Sequence, residues 1–141
     1  MTLKTDTPID LPDMDSKYII SSQHRKKGNP YKCVWTITHE EEVNCFINAK
    51  NSNWIIGTIG YGLKIVGNVL HVVGRNTDNE ELKFAKFIDG TTKDIWHGYP
   101  ADYWNRSQDI PEMAILSLWR ESNYINKSQA RKIKMGIKCT L

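Results

Sequence analysis

Between Asp94 and Arg106 the chain reads Asp-Ile-Trp-His-Gly-Tyr-Pro-Ala-Asp-Tyr-Trp-Asn-Arg. This stretch holds four of the fourteen aromatic residues, with a histidine, two carboxylates and an arginine. His97 has a side chain whose ordinary pKa lets it take or give a proton near neutrality. Asp94 or Asp102 would orient it, and Arg106 would bind an anion. Trp96, Tyr99, Tyr103 and Trp104 would stack on a planar ligand, so one reading is an enzyme acting on a nucleotide-like substrate at His97. Trp, Tyr and Arg also dominate protein contact sites. Trp96, His97, Tyr99, Tyr103, Trp104 and Arg106 therefore form a candidate partner-binding set. That second reading requires part of the ring surface and the Arg106 guanidinium to face solvent.

A separate chemistry is offered at the end of the chain. Residues 120–141 carry six cations against Glu121 alone, which leaves +5 there and −2 over the first 119 residues, for a net charge of +3. Lys127, Arg131, Lys132, Lys134 and Lys138 are the candidate phosphate contacts. The triplet Arg25-Lys26-Lys27 is a second place where phosphate would be met. A solvated helix face is the plain alternative for the first group and a wet loop for the second.

Other signals are absent or explained locally. His39, His71 and His97 have no partner histidine at metal-ligand spacing, no HExxH or PCxxC is present, and no metal or cofactor is expected. There is no GxSxG nucleophile elbow. Gly57, Gly60 and Gly62 do not make a GxGxxG loop and no helix follows them, so a bend between strands is the better reading. Cys33, Cys45 and Cys139 are an odd set without CxxC, which argues against a disulfide framework. Cys33 and Cys45 fall at core positions, and Cys139 reads as an idle thiol in the tail.

The elements that would position these residues follow from periodicity and caps. Residues 1–15, with Asp6, Asp10, Asp13 and Asp15 and with Pro8 and Pro12, read as a mobile acidic arm ahead of a single domain over 16–141. Lys17–Ser22 is a short strand or a turn of helix. Tyr31–Thr38 alternates as a strand, with Tyr31, Cys33, Trp35 and Ile37 on one face. Thr38 and Glu41 make a capping box, and Glu40, Glu41 and Glu42 suit the positive end of the helix dipole. That helix stops at Asn51-Ser52-Asn53.

Strands follow at 54–59, at 63–66 and 69–73 around a Gly67-Asn68 turn, and at 82–88. Gly98 and Pro100 keep the aromatic stretch out of helix and strand, making it a corner. Pro111 opens a helix with the stripe Ile115, Leu118, Trp119 and Ser122. Asn126 and Gln129 form a second capping box, Ile125 and Ala130 a hydrophobic staple, and Gly136 the stop. The fold class expected is α+β: an antiparallel sheet of about five strands with one early helix and a C-terminal helical hairpin.

Composition sets the frame. A chain of 141 residues with 40% apolar and 25% charged residues is long enough for one ordinary core. No run reaches the length of a membrane helix, and the first residues lack a signal-peptide core, so a cytoplasmic protein without a membrane partner is expected. The function expected is a small non-enzymatic binding protein that holds or neutralises a protein partner, in the manner of inhibitors or toxin-immunity proteins. The alternatives are a nucleic-acid-binding module using the basic C-terminal helix, and the small enzyme at His97.

Overall fold

The structure is a computed structural model and describes residues 3–25 and 31–141. In chain order the elements are β1 (Ile9–Asp10), β2 (Lys17–Tyr18), β3 (Val34–Trp35), α1 (His39–Asn51), β4 (Ile55–Ile56), β5 (Ile59–Gly62), β6 (Lys64–Val66) and β7 (Val69–His71). They continue with β8 (Gly74–Arg75), β9 (Glu81–Leu82), β10 (Phe84–Ile88), β11 (Ile95–Ala101), α2 (Met113–Glu121) and α3 (Lys127–Lys134). The main sheet has six strands in the order β1-β2-β11-β10-β5-β4. Every pairing in it is antiparallel except β2 with β11, which runs parallel through Ile95↔Lys17 and Trp96↔Tyr18. A three-stranded sheet (β3-β8-β9) and the β6-β7 hairpin continue from it by bends. The class is α+β, with the early helix and the C-terminal helix pair in place.

The segment expected as a corner is a strand. β11 is the longest in the fold and pairs with β10 from Ile88↔His97 to Phe84↔Ala101. Gly98 is demanded there rather than disruptive. A Cβ on it would lie 2.5 Å from Phe87 Cδ1, and one on Gly62 would lie 2.8 Å from Phe87 Cε2. The Phe87 ring therefore occupies the space of two missing side chains. Pro100 is tolerated because β2 pairs only with Ile95 and Trp96, so that side of β11 has no ladder left to lose.

Register divides the sheet into two faces. Tyr18, Trp96, Gly98, Phe87, Gly60 and Gly62 share one, and α1 covers it. The Phe46 ring stands 5.2 Å from Tyr18, 5.3 Å from Phe87 and 5.5 Å from Trp96. Tyr61, Phe84, Lys86, His97 and Tyr99 share the other, which the C-terminal part covers. Trp119 of α2 packs 5.0 Å from Phe84, and the Tyr61 hydroxyl donates to the carbonyls of Gln108 and Ile110.

Residues 3–15 are docked and do not trail as an arm. β1 pairs with β2, Leu11 is buried, Thr5 bridges Ile20, and the Ser22 amide donates to Asp6 at 3.1 Å. The expected strand over 31–38 shrinks to Val34–Trp35. Cys33, Trp35 and Ile37 nevertheless turn inward as the alternation requires, while Tyr31 is 87% exposed. α2 begins at Met113 with Glu112 as its N-cap, two residues after Pro111. The chain first makes a 3₁₀ turn at Ser107–Asp109 that sends Asp109 into the interior.

The first capping box forms as read. The Glu41 amide donates to Thr38 Oγ1 at 3.1 Å and the Thr38 amide to Glu41 Oε1 at 3.0 Å. Hydrogen bonding from Lys64, helped by the Thr38 amide, holds the Glu41 carboxyl down at about 2. Thr38→Ala is expected to lower stability by about 1 kcal/mol in urea denaturation with the fold retained. The other two glutamates diverge: Glu40 is exposed, whereas Glu42 is fully buried.

Candidate functional site

Most of the aromatic set is interior structure. Trp96, Tyr99 and Tyr103 are 3%, 8% and 2% exposed. Each has its polar tip satisfied inside. Trp96 Nε1 donates to Asp94 at 2.7 Å, the Tyr99 hydroxyl donates to Asp109 at 2.7 Å, and the Tyr103 hydroxyl meets the Cys139 amide at 2.9 Å and Cys139 Sγ at 3.3 Å. A sheet covered on both faces needs large rings with polar edges, and β11 supplies them. As folded, these three rings offer almost no contact surface. Trp104 and Arg106 do reach solvent. Trp104 borders a hollow of about 480 Å³ with Glu80, Lys138 and Cys139, and the Lys138 ammonium lies 5.0 Å from its ring centre.

The proposed acid–base group is not assembled. Asp94 accepts from Ser16 and Trp96 at 2.7 Å each and pairs with Lys50 at 3.5 Å. It lies just before β11 with φ +63°, and its bonds to Trp96 and to Lys50 of α1 put it on the α1 side of the sheet, away from His97. Asp102 sits roughly 15 Å further along by strand rise. Its Oδ2 accepts from Asn105 at 2.9 Å and Asn76 at 3.2 Å, while its buried Oδ1 has no partner. His97 itself is half-buried. Burial holds it below its usual pKa, against the opposing charge of Asp89.

Three interior charges carry no sequence signal beyond their type. Glu42 accepts from the Tyr18 hydroxyl at 2.5 Å and from Arg25 at 2.6 Å. Burial pushes its carboxyl up, with the Tyr18 bond and the Arg25 charge pulling the other way. Arg25, expected as a phosphate contact, is spent on this pair and on the carbonyls of Ile37 and Thr38. Lys26 and Lys27 lie outside the described residues. Lys86, 4% exposed, points into the other face of the sheet toward Gln108 O and Asp109.

The cationic hairpin is where the exposed chemistry lies. Met113, Leu116, Ser117 and Arg120 of α2 face Lys127, Ala130, Arg131 and Lys134 of α3 across a groove of about 260 Å³. Both sets have the i, i+3, i+4, i+7 spacing of one helix stripe. The groove has an apolar floor and a rim of four cations, and its lining includes no carboxylate. A polar hollow at the α2–α3 turn shares Arg120 and Lys127 and adds Asn123, Asn126 and Gln129. Among the described residues no ion pair or hydrogen bond engages the side chains of Arg120, Lys127, Arg131, Lys132 or Lys134. Lys132 is exposed outside the groove. Lys138 is turned away and pairs with Glu80 at 2.6 Å. Arg120 belongs to the group, although it stands on the other helix, seven residues before Lys127, and was not among the candidate phosphate contacts.

The helix pair owes its shape to signals legible in the chain. The Gln129 amide donates to Asn126 and the Asn126 amide to Gln129, both at 2.8 Å, and Gly136 takes φ +72° just past the end of α3. Only Ile133 of α3 is fully buried, so the rest of the helix is presented outward. Among the described residues no cluster of three or more His, Cys, Asp or Glu side chains is placed to hold a metal ion, and no helix is long and apolar enough to cross a membrane. No protein-family model, curated protein or solved structure matches the chain.

Proposed function

We propose that this protein is a binding module that holds a nucleic acid by its phosphates along the α2–α3 hairpin. The observation that carries the reading is the set of five cations on these helices with no internal partner, four of them rimming one groove. A lone charge in the last turn of a helix needs only the dipole to justify it. Arg120 lies in the last turn of α2, and Arg131, Lys132 and Lys134 in that of α3, where the dipole suits a cation. But Lys127 stands in the first turn of α3, and Arg120 faces Lys127, Arg131 and Lys134 across a groove whose lining includes no carboxylate. The burial of Trp96, Tyr99 and Tyr103 removes most of the competing surface at β11. Contact through phosphates implies affinity without sequence preference.

A filter-binding titration across salt concentrations tests this. Four phosphate contacts give a log–log slope near −3.6 on duplex DNA and about −2.8 on single strands. Arg131→Ala is expected to make the slope shallower by about one contact, roughly 0.7 to 0.9, with the fold intact. Absence of binding at low salt ends the proposal. A protein partner of the inhibitor or immunity kind would instead use the exposed Arg106 and the part-buried Trp104 beside it. Its complex would survive nuclease treatment and weaken in Arg106→Ala.

A further inference from the structure

Beside Tyr99 the fold gathers three side chains that the hairpin does not use. His24, at the end of the 3₁₀ turn Ser22–His24, lies flat against the Tyr99 ring with centroids 5.3 Å apart and planes 21° apart. Its Nδ1 is 2.9 Å from the Cys33 carbonyl. A carbonyl only accepts, so Nδ1 carries the proton, and in the neutral ring Nε2 keeps its lone pair. The Arg106 guanidinium is 5.6 Å from the centre of the same tyrosine ring, and its side chain is 42% exposed. His97 stands two residues before Tyr99 on the same face of β11. It is half-buried, and no described residue bonds its ring nitrogens.

The charges around this spot favour an anion. Burial first, then Lys32, His97 and Arg106, hold the His24 imidazole below its usual pKa. The carboxylates nearby are occupied, apart from the buried Oδ1 of Asp102. Asp109 is 0% exposed and takes the Tyr99 hydroxyl, the Asp102 amide and Lys86. It lies 3.8 Å from Arg106 Nε, too far to satisfy the guanidinium. Asp89, which acts on His97, accepts from the Thr91 amide and hydroxyl and the Asp94 amide in its own loop. Gln108, with its amide oxygen turned to Arg106, accepts from Nε and Nη2 at 3.2 and 3.1 Å, and the Cys33 thiol also lies beside the guanidinium.

We infer that His24, His97 and Arg106, set around the buried Tyr99 ring, form a binding site for a phosphate monoester. The donor pattern selects this class. Arg106 and His97 supply N–H donors for anionic oxygens, whereas His24 Nε2 offers an acceptor. Hydrogen phosphate carries a P–OH to meet that acceptor, and so does the monoanion of a monoester, which grows as pH falls toward its second pKa of about 6; a sulfate or an internal phosphodiester carries none. The ester can come from a free nucleotide or from the terminal phosphate of a nucleic acid.

Imidazole signals of the full-length protein, followed by NMR at pH 7 during titration with inorganic phosphate, test the site. Saturable shifts are expected at His24 and His97, with sulfate weaker by roughly tenfold, the scale of one charge-assisted hydrogen bond. Arg106→Gln is expected to weaken phosphate by a similar factor, about tenfold. His97→Gln, which breaks no bond among the described residues, should weaken it as well. Adenosine 5′-monophosphate and a 5′-phosphorylated oligonucleotide should reproduce the shifts, and the same oligonucleotide with a 5′-hydroxyl should not; the stronger of the first two names the source. The response should persist in Arg131→Ala, so failure of the hairpin reading and failure of this one are separable. Equal shifts with sulfate, no saturable shift at His24 and His97, or unchanged affinity in Arg106→Gln would each overturn the assignment.

Discussion

Asp109→Ala is expected to lose about 3–5 kcal/mol of stability, a large part of what a domain of this size possesses. The carboxylate is 0% exposed and receives the Tyr99 hydroxyl at 2.7 Å and the Asp102 amide at 3.0 Å, with Lys86 Nζ at 3.4 Å. Lys86 stands on the middle strand of the sheet with its ammonium 6.0 Å from the Tyr61 ring centre and 5.9 Å from that of Tyr99. Removing the aspartate leaves this ammonium in the interior with one carbonyl and two ring faces, and it leaves a hydroxyl and an amide unmatched. The loss therefore comes from stranded partners more than from the pair's own attraction. Lys86→Met added to Asp109→Ala should recover part of it, because the stranded cation is then gone. Arg106→Ala should cost under about 1 kcal/mol, since its contact with Asp109 is long and solvent-screened. Urea midpoints of the three variants decide the matter. An Asp109→Ala protein as stable as its parent would mean the buried cluster is incidental to the fold.

That cluster also marks the limit of what the chain discloses. Caps and turns are local, and they were legible: Thr38 with Glu41, Asn126 with Gln129, and Gly67-Asn68 with φ +58° and +63° closing Val66 onto Val69. Alternation correctly turned Cys33, Trp35 and Ile37 inward, although only two residues there pair as a strand. What failed depended on partners distant in sequence. Gly98 and Pro100 look like breakers until Phe87 is known to need the first and β2 to have ended before the second. Asp6 and Leu11 look loose until β2 is present to hold the arm. Glu42 and Glu41 are neighbours of one type, yet one caps a helix and the other is buried against Arg25. Only the packing of α1 over Tyr18 separates them. The candidate site divides in the same way. Its cations were countable from the chain, but which of them remain unpaired depends on the fold. Lys138 leaves the set for Glu80, and Arg120 joins it from the facing helix.

Replacing Arg120, Lys127, Arg131 and Lys134 together with alanine should weaken nucleic-acid binding by about a thousandfold near physiological salt. Each lost phosphate contact removes about 0.9 from the slope on duplex DNA, which at 0.15 M amounts to roughly a factor of five per contact. Little of that should be repaid or compounded by folding effects. None of the four side chains is in an ion pair among the described residues, and the buried residues of the helix pair, Ile115, Leu116, Trp119 and Ile133, are untouched. Relief of like-charge repulsion across the groove should leave the variant at least as stable as its parent in urea. The same fourfold change placed on Lys17, Lys50, Lys64 and Lys138 removes equal net charge, but each of these lysines already pairs with a carboxylate. It should therefore leave the salt slope near its original value. A parallel fall in both variants would show that overall charge, and not the groove, attracts the polyanion.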